Sequence, residues 1–396
     1  MSVAPDQART LSLLSVAAFA SMASMRLCDS LLPALASSFA VTTGQAAQVI
    51  SAFAVAYGLS QLFYGPMGDR YGKFRVVSLA TLACTLGSVG AALSPTLGWL
   101  TLSRFLSGAC AAGIIPLTMA WIGDNVPYER RQEVLAQLLG ATVFGMIAGQ
   151  WAGGLLADTL GWRFGFVMLA LLFASISVLL AVRQRRNPAA PDRAPPASML
   201  TRTLTVLAVP WARRVLAVSF LEGALVYSAI TFVVSHLHGR FGLSMTAAAA
   251  ILALYGVGGL LYSRCARWLV PRIGESGLAA TGGIGLAVAF GTLAWLPFWH
   301  AALPACVLAG FGFYALHNTL QTNATQMAPA ARGTAVSLFA CSLFLGQSFG
   351  VLGAAWIVDR FSAAAMFAVV ALALLVLGSA FAAMLARRHR GVAMRA

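Results

Sequence analysis

Long apolar stretches recur along this chain and limit what it can fold into. Apolar residues make up 60% of the 396 positions and charged residues only 9%, far from the composition of a soluble globular domain. Each stretch is close to the ~20 residues that an α-helix needs to cross the hydrocarbon of a bilayer. Because a backbone in lipid must satisfy its own hydrogen bonds, these stretches predict membrane-spanning helices. The sequence therefore predicts an all-α integral membrane protein.

Twelve spans fit the pattern. We place them near residues 11–36, 47–64, 76–94, 99–122, 134–157, 164–182, 215–236, 246–263, 277–296, 302–325, 334–357 and 364–386. The first stretch also resembles a cleavable leader, with Arg9 before an apolar run and small residues around Ala18 and Ala20. It continues to Ala36, however, and cleavage would destroy the first helix. We therefore expect that this segment is not cleaved and forms the first span.

The cations indicate how the spans are oriented. A formal charge of +15 is compatible with a nucleic-acid-binding protein, so the location of the charges must decide between nucleic-acid binding and a membrane orientation signal. With the N-terminus inside, all but five of the 26 Lys and Arg fall in cytoplasmic segments. The exceptions are Arg163, Arg240 and Arg360 outside, and Arg26 and Arg104 within spans. This asymmetry follows the positive-inside rule. It predicts that both termini are cytoplasmic and that nucleic acid is not a partner.

The middle of the chain breaks the apolar rhythm. Residues 183–214 contain seven arginines and the Pro/Ala-rich run PAAPDRAPP, a composition typical of a flexible linker. We predict an N-terminal six-helix bundle at 1–182, a cytoplasmic linker at 183–214, and a C-terminal six-helix bundle at 215–396 that ends in a short basic tail.

The two halves repeat each other at a spacing of about 200 residues. Gly145-x-x-x-Gly149, followed by Asp158, recurs as Gly346-x-x-x-Gly350, followed by Asp359. An internal repeat of this kind is typical of transporters built from two related bundles.

A short segment between the second and third spans, GPMGDRYGKFR, resembles the loop signature Gly-x-x-x-Asp-Arg-x-Gly-Arg-Arg of the major facilitator superfamily. The matching or conservatively replaced positions are Gly65, Asp69, Arg70, Gly72, Lys73 and Arg75, with Phe74 interrupting the basic pair. The counterpart in the second half has Pro271 in place of the acid. The resemblance implies a gating role in which Asp69 rests on the N-terminus of the eleventh helix. The alternative is a basic turn that only obeys the positive-inside rule.

Two further segments resemble signatures of the same family. Arg104, four residues before Gly108 in the fourth span, matches the Arg-x-x-x-Gly pattern, which implies a role in proton coupling. The alternative is an arginine that reaches to the outer headgroups.

The fifth span carries small residues at helical spacing, namely Gly145, Gly149, Gly153 and Gly154. They resemble the antiporter signature Gly-x-x-x-Gly-Pro-x-x-Gly-Gly, with Gln150 replacing the proline. Glycines at this spacing predict close helix packing. That packing, without any antiporter role, is the alternative interpretation.

Two acids lie within spans, Asp29 in the first and Glu222 in the seventh. An intramembrane carboxylate must be neutralised, paired or hydrated, so both are candidates for proton coupling together with Arg104. Asp29 lies about seven residues, roughly 10 Å, from the outer end of its helix, and Arg104 is about as deep. Arg26, one turn before Asp29, is the rival partner. A purely structural salt bridge is the alternative for Asp29.

A polar stripe predicts the substrate cavity. In the fold that the resemblance implies, the first, fourth, seventh and tenth helices line the centre. We place in this cavity Arg26, Tyr57, Tyr227, His317, Asn318 and Gln321. The tyrosines would offer aromatic surface to an organic substrate. The alternative for His317 is a hydrogen-bonded packing residue.

The resemblance covers nearly the whole chain and is nearest to the twelve-helix drug:proton antiporters. It implies a secondary active transporter, not an enzyme, that exports a small organic compound such as a drug or metabolite in exchange for protons. The implied setting is the bacterial inner membrane, and we expect a monomer without cofactor or metal. One alternative is proton-coupled uptake of a small metabolite. Another is a membrane sensor or lipid-handling protein, which would bind ligand without proton-dependent flux.

Overall fold

The computed structural model describes residues 5–186 and 199–393, and every regular element within them is helical. Eleven helices of this part are long and apolar enough to cross a membrane. Ten correspond to one predicted span each. The remaining one, Met245–Ala294, has 50 residues and contains the predicted eighth and ninth spans, joined at Gly274, whose φ of 62° is not helical. The predicted all-α membrane fold is confirmed, and the helices are consistent with twelve spans.

The helices of the first half are Pro5–Arg26, Leu32–Phe39, Thr43–Ala46, Gln48–Tyr71, Lys73–Ala92, Leu97–Ala111, Ile114–Asn125, Tyr128–Thr159 and Trp162–Arg186. Those of the second half are Met199–Ala208, Pro210–Glu222, the π-helical turn Gly223–Tyr227, Ser228–Phe241, Met245–Ala294, Ala302–Gln326, Arg332–Arg360 and Ala363–Ala393. We number the spans from one to twelve in chain order and refer to them by these numbers.

Span one is not one continuous α-helix. A 3₁₀ turn, Leu27–Ser30, follows the helix Pro5–Arg26, and the next helix begins at Leu32 with Pro33 in its first turn. Proline is frequent in the first turn of a helix, because it has no amide hydrogen to leave unpaired and its φ is already helical. The break places Asp29 in the irregular turn, fully buried.

The segment that we interpreted as a loop is largely helical. Span two continues to Tyr71 and span three begins at Lys73, so Gly72 alone separates them. Its φ of 90° is a left-handed conformation that glycine adopts without a steric penalty, and one such residue is enough to turn the chain. The charged residues of this segment therefore lie on helix ends and not in a loop.

The chain divides into two compact units. The first contains Met1–Val41 and Gln48–Met199, and the second contains Thr42–Ala47 and Leu200–Ala396. The six residues that join spans one and two thus pack within the second unit. There, Asp359 accepts hydrogen bonds from the Thr42 hydroxyl at 2.6 Å and the Gly44 amide at 3.0 Å.

Part of the predicted linker is helical. Residues 187–198, which include the Pro/Ala-rich run, lie outside the described residues. On one side, span six extends to Arg186. On the other, Met199–Ala208 forms a separate helix, and Pro210 starts span seven. Proline at the first turn of span seven explains why the two helices do not merge.

Glycines bring the same pairs of helices together in both units. A Cβ added to Gly145 or Gly149 of span five would lie 2.4 Å from the carbonyl oxygen of Phe19 or Ala23 in span one. In the second unit, Gly346 and Gly350 of span eleven approach Phe220 and Ala224 of span seven in the same way. Only a residue without a side chain permits such backbone contact. These contacts set the register of the repeat, with equivalent positions 201 residues apart (19 and 220, 23 and 224).

Candidate functional site

The first unit buries a polar cluster around Asp29. Its carboxylate is fully buried, and Oδ2 accepts hydrogen bonds from Arg26 Nη1 at 3.5 Å and Gln150 Nε2 at 3.3 Å. The other oxygen, Oδ1, has no hydrogen-bond partner among the described residues. The structure therefore places the rival Arg26, one turn away, against the acid, and half of the carboxylate is left available.

Arg104 lies in the same cluster but does not bond directly to Asp29. Its side chain is 1% exposed, and Nη1 donates to the Ser24 hydroxyl at 3.3 Å. The guanidinium carbon is 4.2 Å from the centroid of the Phe53 ring, a cation–π contact that partly offsets the loss of hydration. The Arg104 Nε and Nη2 atoms have no partner within the described chain. Arg104 is thus a buried arginine whose donor capacity is mostly unused, and it does not extend to an exposed surface.

Gln150 has a role that its position in the signature did not reveal. It lies in the continuous helix Tyr128–Thr159, where the signature has proline. The three glycines at 145, 149 and 153 hold this helix against the backbone of span one, and Gly154 is buried beside them. That close approach brings the Gln150 amide within hydrogen-bonding distance of Asp29. A proline ring has no such donor.

Residues 65–75, for which the resemblance implies a gating role and which we call the gating segment, lie at the end of span two and the start of span three. Lys73 forms an ion pair with Asp124 at the end of span four. Asp69, Arg70 and Arg75 are exposed, and Asp69 forms no hydrogen bond or ion pair within the described residues. A Cβ at Gly68 would lie 2.4 Å from Leu117, whereas Gly65 and Gly72 have open space. Lys73 is therefore tied to span four, and Asp69 is available for contact.

The second unit contains its own buried acid. Glu222 is fully buried at the end of the α-helical part of span seven. His317 of span ten lies with Nδ1 3.0 Å from Glu222 Oε2, and its side chain is 15% exposed. Both residues were predicted as functional candidates but not as a pair, because nothing in the sequence fixes the rotation of span ten against span seven.

The other predicted cavity residues differ in exposure. Tyr57 is 2% exposed and stacks on Phe53, and Tyr227 is 9% exposed. Asn318 bonds to Tyr262 of span eight, and Gln321 is exposed. The structure therefore brings Glu222 and His317 together, keeps Asn318 and Gln321 on the same helix as His317, and buries the two tyrosines in separate units.

Two features of these sites were not predicted from the sequence. One is the Gln150 contact with Asp29, which appeared only as a departure from a pattern. The other is the π-helical turn Gly223–Tyr227 directly after Glu222. A possible signal for it was Gly223 beside an intramembrane acid, because a glycine next to a functional side chain often accompanies close backbone contact.

The comparisons with known proteins agree with this architecture. The profile of the Major Facilitator Superfamily matches residues 14–351. The chain therefore belongs to the major facilitator superfamily.

Several curated relatives are transport proteins. The chain is 28% identical over 346 residues to the "Chloramphenicol resistance protein" of Streptomyces lividans, covering 87% of each chain. It is 31% identical over 153 residues to the "Multi-drug resistance efflux pump PmrA" of Streptococcus pneumoniae. That second match covers 38% of this chain and 38% of the pump, so it spans well under two thirds of the relative's length.

Solved structures share the fold. A bacterial homolog to the human lysosomal transporter Spinster, in an inward-facing and unoccupied conformation, aligns with a TM-score of 0.79 at 17% identity over 98% of both chains. The nucleoside transporter NupG aligns with a TM-score of 0.73 at 15% identity, over 95% of this chain and 98% of that one. At such identities the likeness shows the fold alone.

Proposed function

We propose that this transporter exports a small organic compound in exchange for protons. The observation that carries the proposal is the buried carboxylate of Asp29, with one oxygen held by Arg26 and Gln150 and the other unpartnered among the described residues. An exchanger needs one group for which substrate and proton compete. A carboxylate oxygen without a partner can accept either a proton or a hydrogen-bond donor of the substrate, but not both.

The surroundings of Asp29 fit this competition. Burial makes an unpaired charge costly, so the acid is stable as a carboxylate only while Arg26 pairs with it. Protonation at Oδ1 removes the charge and releases Arg26 to other acceptors. At the outer side a proton would displace the substrate, and at the cytoplasmic side the substrate would displace the proton. The names of the relatives, an efflux pump and a chloramphenicol resistance protein, support export.

The cellular setting belongs to the same proposal. We place the protein in a bacterial inner membrane with both termini in the cytoplasm, and the asymmetric distribution of Lys and Arg supports this orientation. The relatives named above come from bacteria. One chain carries both six-helix units, so a monomer is sufficient for the activity.

The experiment is transport in proteoliposomes with an imposed pH gradient, using a panel of organic compounds that includes chloramphenicol. An antiporter concentrates its substrate in the acidic compartment, whereas a symporter concentrates it in the alkaline one. We expect accumulation in the acidic compartment by the wild type and none by Asp29→Asn. Glu133→Gln, which neutralises an exposed acid paired with Arg130, is the matched control and should behave as wild type.

Two results would contradict the proposal. The first is flux of the panel compounds that ignores the pH gradient in the wild type. The second is Asp29→Asn protein that concentrates substrate as fast as the wild type.

A further inference from the structure

Glu222 of the second unit is a buried acid with a single described partner. Its exposure is zero, and Oε2 lies 3.0 Å from His317 Nδ1. Its second oxygen, Oε1, has no hydrogen-bond partner in the described part of the chain. His317 is 15% exposed. The buried carboxylate therefore bonds to an imidazole that is itself partly exposed.

Aromatic rings fix the orientation of His317. The Phe313 ring stacks on the imidazole with a centroid distance of 4.8 Å and an interplanar angle of 16°, and the Phe339 ring is 5.6 Å away. Apolar groups thus cover the faces of the imidazole, and its two nitrogens lie on the edges. Nδ1 bonds to Glu222, and Nε2, on the other edge, has no bond to any described residue.

The backbone next to Glu222 is irregular. The π-helical turn Gly223–Tyr227 begins directly after it, and such turns occur frequently at functional sites. A Cβ on Gly223 would lie 2.0 Å from the carbonyl oxygen of Leu343, so span seven touches span eleven at this point. The backbone next to the acid is therefore packed directly against span eleven.

The neighbouring helices offer few other ionisable groups. Span ten carries Cys306 and Tyr314 besides the histidine, and span eleven carries Cys341 within its apolar stretch. Span twelve has no ionisable residue before Arg387. On its own helix Glu222 has Arg213 and Arg214 more than two turns before it and Tyr227 after it. None of these forms a hydrogen bond or ion pair with the Glu222 carboxylate.

The pair has no counterpart in the first unit. By the 201-residue register of the glycine contacts, Glu222 corresponds to Ser21. Gly108 of span four touches the backbone of Phe53, and Gly310 of span ten touches that of Tyr255 in the same way, with equivalent positions 202 residues apart. By this register His317 corresponds to Ile115. Conversely, Asp29 corresponds to Ile230. The second unit thus has a polar site of its own, at a different level of its first helix, that the Asp29 cluster does not explain.

We propose that His317 is a proton relay and the route by which Glu222 is loaded and unloaded. This inference rests on the proposed proton coupling. Nε2 takes a proton from water, the Nδ1–H bond breaks, and that proton forms the Oε2–H bond, which leaves Glu222 neutral and the ring neutral with hydrogen on Nε2. Unloading reverses each transfer and restores the starting tautomer. The ring therefore need not turn between its aromatic neighbours.

The test measures substrate-triggered proton release from purified protein in weakly buffered detergent solution, with a pH indicator and a substrate from the proteoliposome screen. For His317→Gln the release is measured at saturating substrate, so that a change in substrate affinity does not alter the rate that is compared. We expect the part of its proton release that comes from Glu222, which is the part missing in Glu222→Gln, to slow about 100-fold, the low end of what a positioned proton-transfer group contributes. His317→Asn is the second variant if the first does not insert.

The matched control is His236→Gln. His236 is a buried histidine of the same unit whose Nε2 lies 3.0 Å from the Leu293 carbonyl oxygen. We expect wild-type proton release from it. Glu222→Gln should release fewer protons per substrate, and adding His317→Gln to it should change nothing further, because the relay acts only through the acid.

The outcomes separate the relay from the proposed function. Gradient-independent flux in the wild type removes both proposals. Coupled flux in the wild type together with wild-type proton-release rates in His317→Gln and His317→Asn overturns the relay alone. The same holds if the double variant is slower than Glu222→Gln.

Discussion

At the residue scale, the choice of partner for Asp29 decides how the first unit handles charge. Arg26 contacts the acid directly, whereas Arg104 is bonded to Ser24. With one acid and two buried arginines, the cluster keeps a net positive charge while Asp29 is ionised. Arg26 is therefore the neutralising partner, and Arg104 is a second cation that shares the same space.

The two arginines should differ in a double-mutant cycle. Asp29→Asn combined with Arg26→Gln should be less impaired than the sum of the single variants, by about 1 to 3 kcal/mol, because residues in one ion pair couple by that amount. The cycle with Arg104→Gln should show a smaller coupling. Transport rates and thermal midpoints of the purified variants measure both. A larger coupling with Arg104 would show that the ion pair exchanges partners in the working protein.

The sequence predicted which residues are functional candidates, but it did not predict which of them contact each other. Asp29, Arg104, Glu222 and His317 were found because charged or polar groups in a span are costly and therefore noticeable. Their pairing depends on helix rotation and depth, which the sequence analysis estimated only to within a turn. Gln150 shows the limit most clearly. It was interpreted as a missing proline, and only the close helix packing at Gly149 explains why its amide meets Asp29.

At the element scale, glycine contacts set the distance between spans one and five in the first unit and between spans seven and eleven in the second. Gly149→Ala and Gly346→Ala would place a methyl group within 2.4 Å and 1.9 Å of a backbone carbonyl oxygen. We expect each to destabilise the protein by about 1 to 3 kcal/mol, since the helices must move apart. The measurement is the thermal midpoint in detergent.

Open glycines on the same helices supply the controls. Gly140 and Gly353 have no atom within 4 Å of an added Cβ. Their alanine variants should be neutral or more stable by up to roughly 1 kcal/mol, because alanine favours a helix over glycine. Equal losses in all four variants would mean that the effect does not come from the close helix packing at Gly149 and Gly346.

The gating segment supports a separate prediction. Asp69 is exposed and makes no bond within the described residues, so Asp69→Asn should leave insertion and substrate affinity largely intact. We expect slower turnover, because the resemblance implies a gating role for this carboxylate, and a carboxylate at a helix N-terminus contributes about 0.3 to 1 kcal/mol, or more when desolvated. Initial rates and binding isotherms measure the two effects. Asp158→Asn is the control acid, and wild-type turnover in Asp69→Asn would refute the role.

At the scale of the whole molecule, the apolar pattern and the charge asymmetry carried most of the prediction. They predicted the spans and the fold class, because backbone N–H and C=O groups in lipid must bond to each other and few structures other than helices allow this. They did not show that span one breaks at residues 27–31, that spans two and three meet at a single glycine, or that residues 42–47 pack within the second unit. Each of these depends on one or two residues and their tertiary contacts, which hydropathy does not record.

Orientation in the membrane is the last prediction. The positive-inside rule predicts that Gly239 faces the outside and Leu200 the cytoplasm. Both positions are exposed, and an added Cβ at Gly239 meets no atom within 4 Å, so cysteine should fit at either. In a background without the six native cysteines, a membrane-impermeant maleimide applied to intact cells should label Gly239→Cys but not Leu200→Cys. Permeabilised cells should label both. The reverse pattern would place the gating segment outside and the Asp29 cluster nearer the cytoplasm, and proton-driven export through Asp29 would then have to run in the opposite direction.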